Sequence, residues 1–282
     1  MTVLSPPVVV AVGRSGSRAA VAHAAGEAVR RDRRLHLLHA TTDPAPDDVL
    51  TAARRYADAA VAGLVPVTAG TVPGSPTAVL TGPAVDAALL VVGRSSYAGH
   101  PYVRTLTGVA AARVPAPVLA VPDDWVRRTA GPRVVVGVDE GANGGEALVE
   151  AFAAARAGGA ALTLLASWWR PARDPEEVAA EVERATASLR AWHPDVPVDV
   201  RVVHGPAGEA LIEASTDADL VVLGRHEPLL PGGSRLGPVA RAVLRDARCP
   251  VLLSTPVDAH RVHVPGPRRT GSKGLPTGGV RP

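Results

Sequence analysis

The chain holds a single cysteine, Cys249, among 282 residues. One thiol excludes an internal disulfide framework and any cysteine-rich zinc site. Aromatic side chains are almost as scarce, with four Trp, three Tyr and one Phe. Modules that stack nucleic-acid bases need more of them, so any core must be built from Ala, Val and Leu. No apolar run approaches the ~18 residues of a membrane span. The N-terminus, MTVLSPPVVV, has neither a basic region nor a cleavage pattern, so secretion is not expected. A cytoplasmic protein without a membrane partner is the expectation. No HExxH motif occurs, and His36 and His39 stand three apart in a strand, hence on opposite faces. No metal site is expected.

An excess of positive charge is missing too, once the chain is divided. Residues 257–282 carry Arg261, Arg268, Arg269, Lys273 and Arg281 against Asp258. Five basic groups against one acid give this tail +4, so with +3 overall the remainder carries −1. The body is therefore no basic platform, and nucleic acid is not an expected partner. The tail is rich in Pro, Gly and Arg without periodicity and is expected to be disordered.

The length suggests about two domains of roughly 150 residues, and internal similarity divides the chain. PVVVAV at 7–12 matches RVVVGV at 133–138, and LHLLHA at 35–40 matches LTLLAS at 162–167. LLVVGR at 89–94 matches LVVLGR at 220–225, and APVLAVP at 116–122 matches CPVLLSTP at 249–256. The offsets drift from 126 to 133, as loop insertions in a second copy would produce. The reading is a domain at 5–122, a linker at 123–131, a domain at 132–256 and a tail at 257–282.

Each copy alternates strand and helix. VVVGV is a β-branched run suited to a strand buried on both faces. Ala147, Leu148, Ala151, Phe152 and Ala155 line one helix face. Asp174 and Glu177 form a capping box with Pro175 at the first helical position. Alternation of this kind predicts an α/β fold: two tandem doubly wound domains, each with a five-stranded parallel sheet.

In such sheets a ligand crevice lies beyond the carboxyl ends of the strands, where strand order reverses. In the second copy that place holds Asp139-Glu140-Gly141 and Gly224-Arg225-His226-Glu227. The segment PLLPGGSRLGPVARAVL follows; its glycines would let backbone approach a phosphate at the next helix N-terminus. The alternative, that these glycines only turn the chain, stays open.

VVVGVD at 134–139, GPAGEALIEAS at 205–215, DADLVVLGRH at 217–226 and GPVARAVLRDARCPVLLS at 237–254 carry a family likeness. The body resembles two tandem domains of the universal stress protein family. The resemblance implies stress-linked regulation and dimer-like pairing of domains, within one chain or in a homodimer. Some members bind ATP and others do not. The family's ATP pattern, Gly-x2-Gly-x9-Gly-(Ser/Thr), falls here on Gly224, Glu227, Gly237 and Pro238, so two of its four elements are kept. Glu227 brings a carboxylate where phosphates should approach, and Pro238 removes a hydroxyl and an N–H. Asp139 keeps the acid that contacts nucleotide in binders. The implied adenine-nucleotide set is Val138, Asp139, Gly224, Arg225, His226, Gly237 and Val239, with Arg225, Ser234 and Arg235 as compensating donors. The first copy departs further: Gly13 replaces the acid, Ser96 the second glycine, and Arg104-Thr105 the last pair.

Weaker motifs fail on order or spacing. GPRRTGSKG at 266–274 has the wrong order for a P-loop, and Gly13-Arg14-Ser15-Gly16 and Gly93-Arg94-Ser95-Ser96 miss the nucleophile elbow. Cys249 reads as an inert small hydrophobe, and the Trp168-Trp169 pair as crevice lining or packing. Nothing supplies a placed base or nucleophile, so an enzyme is not expected. Three functions remain: a stress-response regulator with at most one ATP site, in the second domain; a scaffold of the same fold without nucleotide; and a nucleotide hydrolase or transferase, for which only Asp139, His226 and Glu227 are at hand.

Overall fold

The computed structural model describes residues 5–14, 16–42, 48–82, 86–94, 106–127, 131–138, 145–168, 174–225 and 234–255. The first half runs β1 (Val8–Ala11), α1 (Arg18–Arg31), β2 (Leu35–Thr41), α2 (Asp48–Val61), β3 (Val67–Pro73), α3 (Pro76–Thr81), β4 (Leu89–Arg94), α4 (Leu106–Arg113) and β5 (Val118–Pro122). The second runs β6 (Arg133–Val138), α5 (Gly145–Gly158), β7 (Ala161–Trp168), α6 (Pro175–Trp192), β8 (Val198–His204), α7 (Ala207–Ala214), β9 (Leu220–Leu223), α8 (Pro238–Asp246) and β10 (Val251–Leu253). The tail at 257–282 lies outside the described residues.

The strands form one sheet in the order β3-β2-β1-β4-β5-β10-β9-β6-β7-β8. Read outward from the middle, both halves have the same strand order. Eight neighbouring pairs are parallel; the central pair, β5 with β10, is antiparallel, with Val118 opposite Leu253. The two expected five-stranded sheets thus meet at their last strands and join into a single ten-stranded one. The physical reason is edge protection: each fifth strand left alone would expose a row of unpaired backbone groups.

Alternation along the strands divides the core into two layers. Val8, Val10, Leu35, Leu37, Val134, Val136, Leu162 and Leu164 face one layer, under α1, α2, α5 and α6. Val9, Leu38, Leu90, Val135, Leu165 and Val221 face the other, with Leu80, Ala110, Leu211 and Val243 of α3, α4, α7 and α8. Gly137 interrupts the valine run of β6 for a packing reason. A Cβ there would lie 2.9 Å from Leu223 Cδ2 and 3.2 Å from Leu211 Cδ1. Its absence lets α7 settle onto β6.

Local signals behave as their chemistry requires. Asp174 caps α6 by accepting from the Glu176 N–H at 2.9 Å, with Pro175 at the first helical position. Asp219 Oδ2 accepts from the Arg133 N–H at 2.9 Å and fastens β9 to β6. Across the halves, Arg31 of α1 bonds Glu150 of α5 at 2.7 Å and Glu27 of its own helix at 2.9 Å. No described helix is long and apolar enough to cross a membrane.

Candidate functional site

In the second half, β6 lies between β9 and β7. The helix after β6 packs on one face of the sheet and the helix after β9 on the other, so the β6/β9 boundary is where strand order reverses. The register pairs Val136 with Val222; two residues further, Val138 comes level with Gly224 on strands about 4.8 Å apart. Val138 is buried. No described atom lies within 4 Å of where a Gly224 side chain would begin. Asp139, His226 and Glu227 lie outside the described residues, as does Trp169.

Gly237 caps α8 in an extended conformation without a side-chain cap bond, and Pro238 occupies the first helical position. That gives Pro238 a local reason. Its missing N–H is one of four that a helix start leaves unpaired, and its fixed φ suits the first turn. An anion at this terminus would have one donor fewer. Val239 is 36% exposed at the same end. On the far side, Trp168 closes β7 and meets His204 of β8 edge-on, with ring centroids 4.8 Å apart. His204 was not singled out by the sequence; its signal is its position at the carboxyl end of an edge strand.

Arg225 goes elsewhere. Its guanidinium turns into the first half and is buried, with Nε donating to Ser254 O at 2.6 Å. Nη1 donates to Ala111 O at 3.1 Å and Val114 O at 2.7 Å; Nη2 donates to Pro115 O at 3.2 Å and Ala116 O at 2.6 Å. The fork caps the carboxyl end of α4, where unpaired carbonyls and the helix dipole favour a cation. Burial, then the nearby Arg235, lowers its pKa to about 10, so it stays charged at neutral pH. Arg235 follows it, with Nη1 donating to Arg113 O at 2.7 Å and its N–H to Ala112 O at 3.2 Å. The matching residue of the first half does the reciprocal job: Arg94 donates to Arg245 O at 3.0 Å and also to Ala247 O, at the end of α8. Both cations expected to compensate for Glu227 and Pro238 are thus engaged between the halves. Ser234 instead accepts from the Leu236 N–H at 3.1 Å.

The corresponding place in the first half is filled. A Cβ on Gly93 would lie 2.7 Å from Asp123 Oδ1 and 3.4 Å from Ser17 Oγ. Asp123 opens the linker, and its N–H donates to Arg94 O at 3.2 Å. Two residues on, Trp125 packs edge-on against His23 of α1, with centroids 4.6 Å apart. Gly13 donates to Ser17 Oγ at 3.4 Å. Ser15, Ser96, Arg104 and Thr105 lie outside the described residues. Cys249 is buried, and burial pushes its thiol up to about 12, which holds it protonated. Among the described residues no cluster of His, Cys, Asp or Glu has the makings of a metal site.

The class is thus a doubly wound α/β protein with a crevice at a reversal of strand order. The universal stress protein family model matches residues 132–254, the second half of the chain, which is similar to that family. A universal stress protein of Mycobacterium tuberculosis is 34% identical over 131 residues, 43% of this chain and 44% of the relative. The chain therefore spans under half the length of the curated relatives it matches. Among solved structures, a universal stress protein from Archaeoglobus fulgidus superposes with a TM-score of 0.65 at 15% identity, covering 89% of this chain and 97% of that one. A functionally unknown protein of Pseudomonas aeruginosa reaches 0.63 at 19% identity, covering 89% and 93%. The cytoplasmic domain of a prokaryotic cation chloride cotransporter reaches 0.50 at 12% identity, covering 89% and 96%. At these identities the likeness is one of fold.

Proposed function

We propose that the chain is a cytoplasmic, non-catalytic regulator of the stress response, with one weak adenine-nucleotide site in its second half. The observation that supports this reading is the contrast at matching glycines: no described atom lies within 4 Å of where a Gly224 side chain would begin, whereas Asp123 covers Gly93. Val138, Gly224, Gly237 and the α8 terminus would line this crevice, and Asp139 follows Val138 in sequence. Weakness follows from the same chemistry. Glu227 sets a carboxylate against phosphates, Pro238 withholds a donor, and Arg225 and Arg235 face the other half. Pairing of β5 with β10 inside one chain takes the place of a homodimer. A scaffold without nucleotide is the second reading, favoured by the engagement of those two arginines. A hydrolase or transferase would have to draw on Asp139, His226 and Glu227 alone.

Calorimetric titration with ATP separates these readings. The wild type should bind weakly or not at all, and Glu227→Gly with Pro238→Ser should tighten binding roughly a hundredfold, equivalent to about 2.7 kcal/mol. Tight wild-type binding that the double change leaves unaltered would overturn the proposal. No binding by either form would establish the scaffold.

A further inference from the structure

A second concavity lies against the sheet of the first half, and its lining shares no residue with either crevice. It encloses about 680 Å³ between the β1–β3 face and α3, within the range of small-molecule sites. Its origin is legible in the chain. α7 runs eight residues and seals the same face in the second half, resting on β6 and β7. α3 runs six and buries only Leu80. Where the second half has Glu213-Ala214, the first has Gly82-Pro83, a pair that stops a helix. Among the described residues, the sheet face beneath is left uncovered by α3.

Strand alternation decides what the cavity presents. Arg34, His36 and Leu38 project to this face along β2, Thr68 and Val72 along β3, and Val9 from β1. The polar groups stand toward the amino ends of the strands, and Leu38, Val72 and Val79 form the apolar end. His36 Nδ1 meets Thr68 Oγ1 at 2.9 Å, and that hydroxyl donates to Leu35 O at 3.3 Å. A hydroxyl has one proton to give, so it accepts from Nδ1–H, and Nε2 is left as an acceptor. Burial first, then Arg34, lowers the His36 pKa, so the ring is neutral. Among the described residues no hydrogen bond or ion pair engages the Arg34 guanidinium. Asp86 sets a carboxylate at the same rim.

We propose that this cavity binds a small apolar monoanion. Its acidic group pairs with Arg34, a hydrogen-bond donor meets His36 Nε2, and its apolar body rests on Val9, Leu38 and Val79. Asp86 repels any further negative charge, so nucleoside polyphosphates are excluded. The site is independent of the nucleotide reading and stands or falls separately.

The probe is 8-anilinonaphthalene-1-sulfonate, which joins one sulfonate and one N–H to an apolar body. Titrated into the full chain, it should give a saturable 1:1 fluorescence rise. Hexanoate should displace it, whereas hexylamine and ATP should not. Arg34→Gln should weaken binding at least tenfold. Ala78→Trp, on the exposed side of α3, should abolish it by filling the cavity. Circular dichroism melts of both variants should match the wild type. Absence of saturable binding would overturn the proposal, as would displacement by hexylamine as effective as by hexanoate. So would binding unchanged in both variants.

Discussion

The two halves share a strand order but differ where a ligand would sit. In the first, the linker turns back over the carboxyl ends of β1 and β4, so that Asp123 covers Gly93 and Trp125 packs on His23. In the second, no described atom covers Gly224. The same fold thus holds one crevice covered by its own chain and one that no described atom covers. The faces behind the crevices differ in the opposite sense: α7 seals the second half, and the short α3 leaves the first half hollow. Across these differences, paired arginines hold the halves together.

Removing an arginine tests that last point and should have the largest effect. Arg225→Leu leaves five carbonyl oxygens without their donor. It should cost on the order of 3 kcal/mol or more in denaturant unfolding. Arg94 serves two carbonyls, and Arg94→Leu should cost roughly half as much. Equal losses would show that the latch is not graded by its hydrogen bonds.

Alanine at the matching glycines sharpens the contrast between the crevices. Gly93→Ala sets a methyl 2.7 Å from Asp123 Oδ1 and should cost about 1–3 kcal/mol through displacement of the linker. Gly224→Ala meets no described atom and should change stability by under about 0.5 kcal/mol. The reverse ranking in thermal melts would mean that the second crevice is the crowded one.

The smallest effect concerns pH. His23 is held below its ordinary pKa chiefly by burial and further by Arg127, against the opposing pull of the Ala19 carbonyl, Glu27 and Asp219. The unfolded chain therefore binds the proton more readily, and stability rises with pH across this range. The melting temperature should fall as pH drops below about 6.5, and His23→Gln should flatten part of that slope. His36 is lowered too and contributes the remainder. A melting temperature that rises on acidification through this window would contradict the burial of His23.

Much of this architecture is written locally. The β-branched runs, the Asp174-Pro175 start and the four matched blocks lead to the alternating fold without a structure. The crevice is legible as a place, because Val138 and Gly224 end neighbouring strands. What escapes the sequence is long-range and made of backbone. Four of the five carbonyls that hold Arg225 lie 109–114 residues away in the chain, and a carbonyl carries no residue signature. Arg225 beside Gly224 therefore reads as a phosphate donor until its partners are seen. The closing of the first crevice has the same character. Gly13 and Ser96 suggest a lost site, but that Asp123 covers Gly93 depends on where the linker turns. Gly82-Pro83 differs: the signal for a shortened α3 stands in the sequence, and its consequence needs the uncovered sheet face to be understood.

The central claim is that nucleotide binding belongs to the second half alone. Amide hydrogen exchange on the Glu227→Gly, Pro238→Ser form, with and without saturating ATP, tests it most directly. Protection should rise in peptides spanning 134–138, 220–225 and 237–241, and stay unchanged in those spanning 8–14 and 89–94. Protection gained at 8–14 and 89–94, or equally in both halves, would contradict the account.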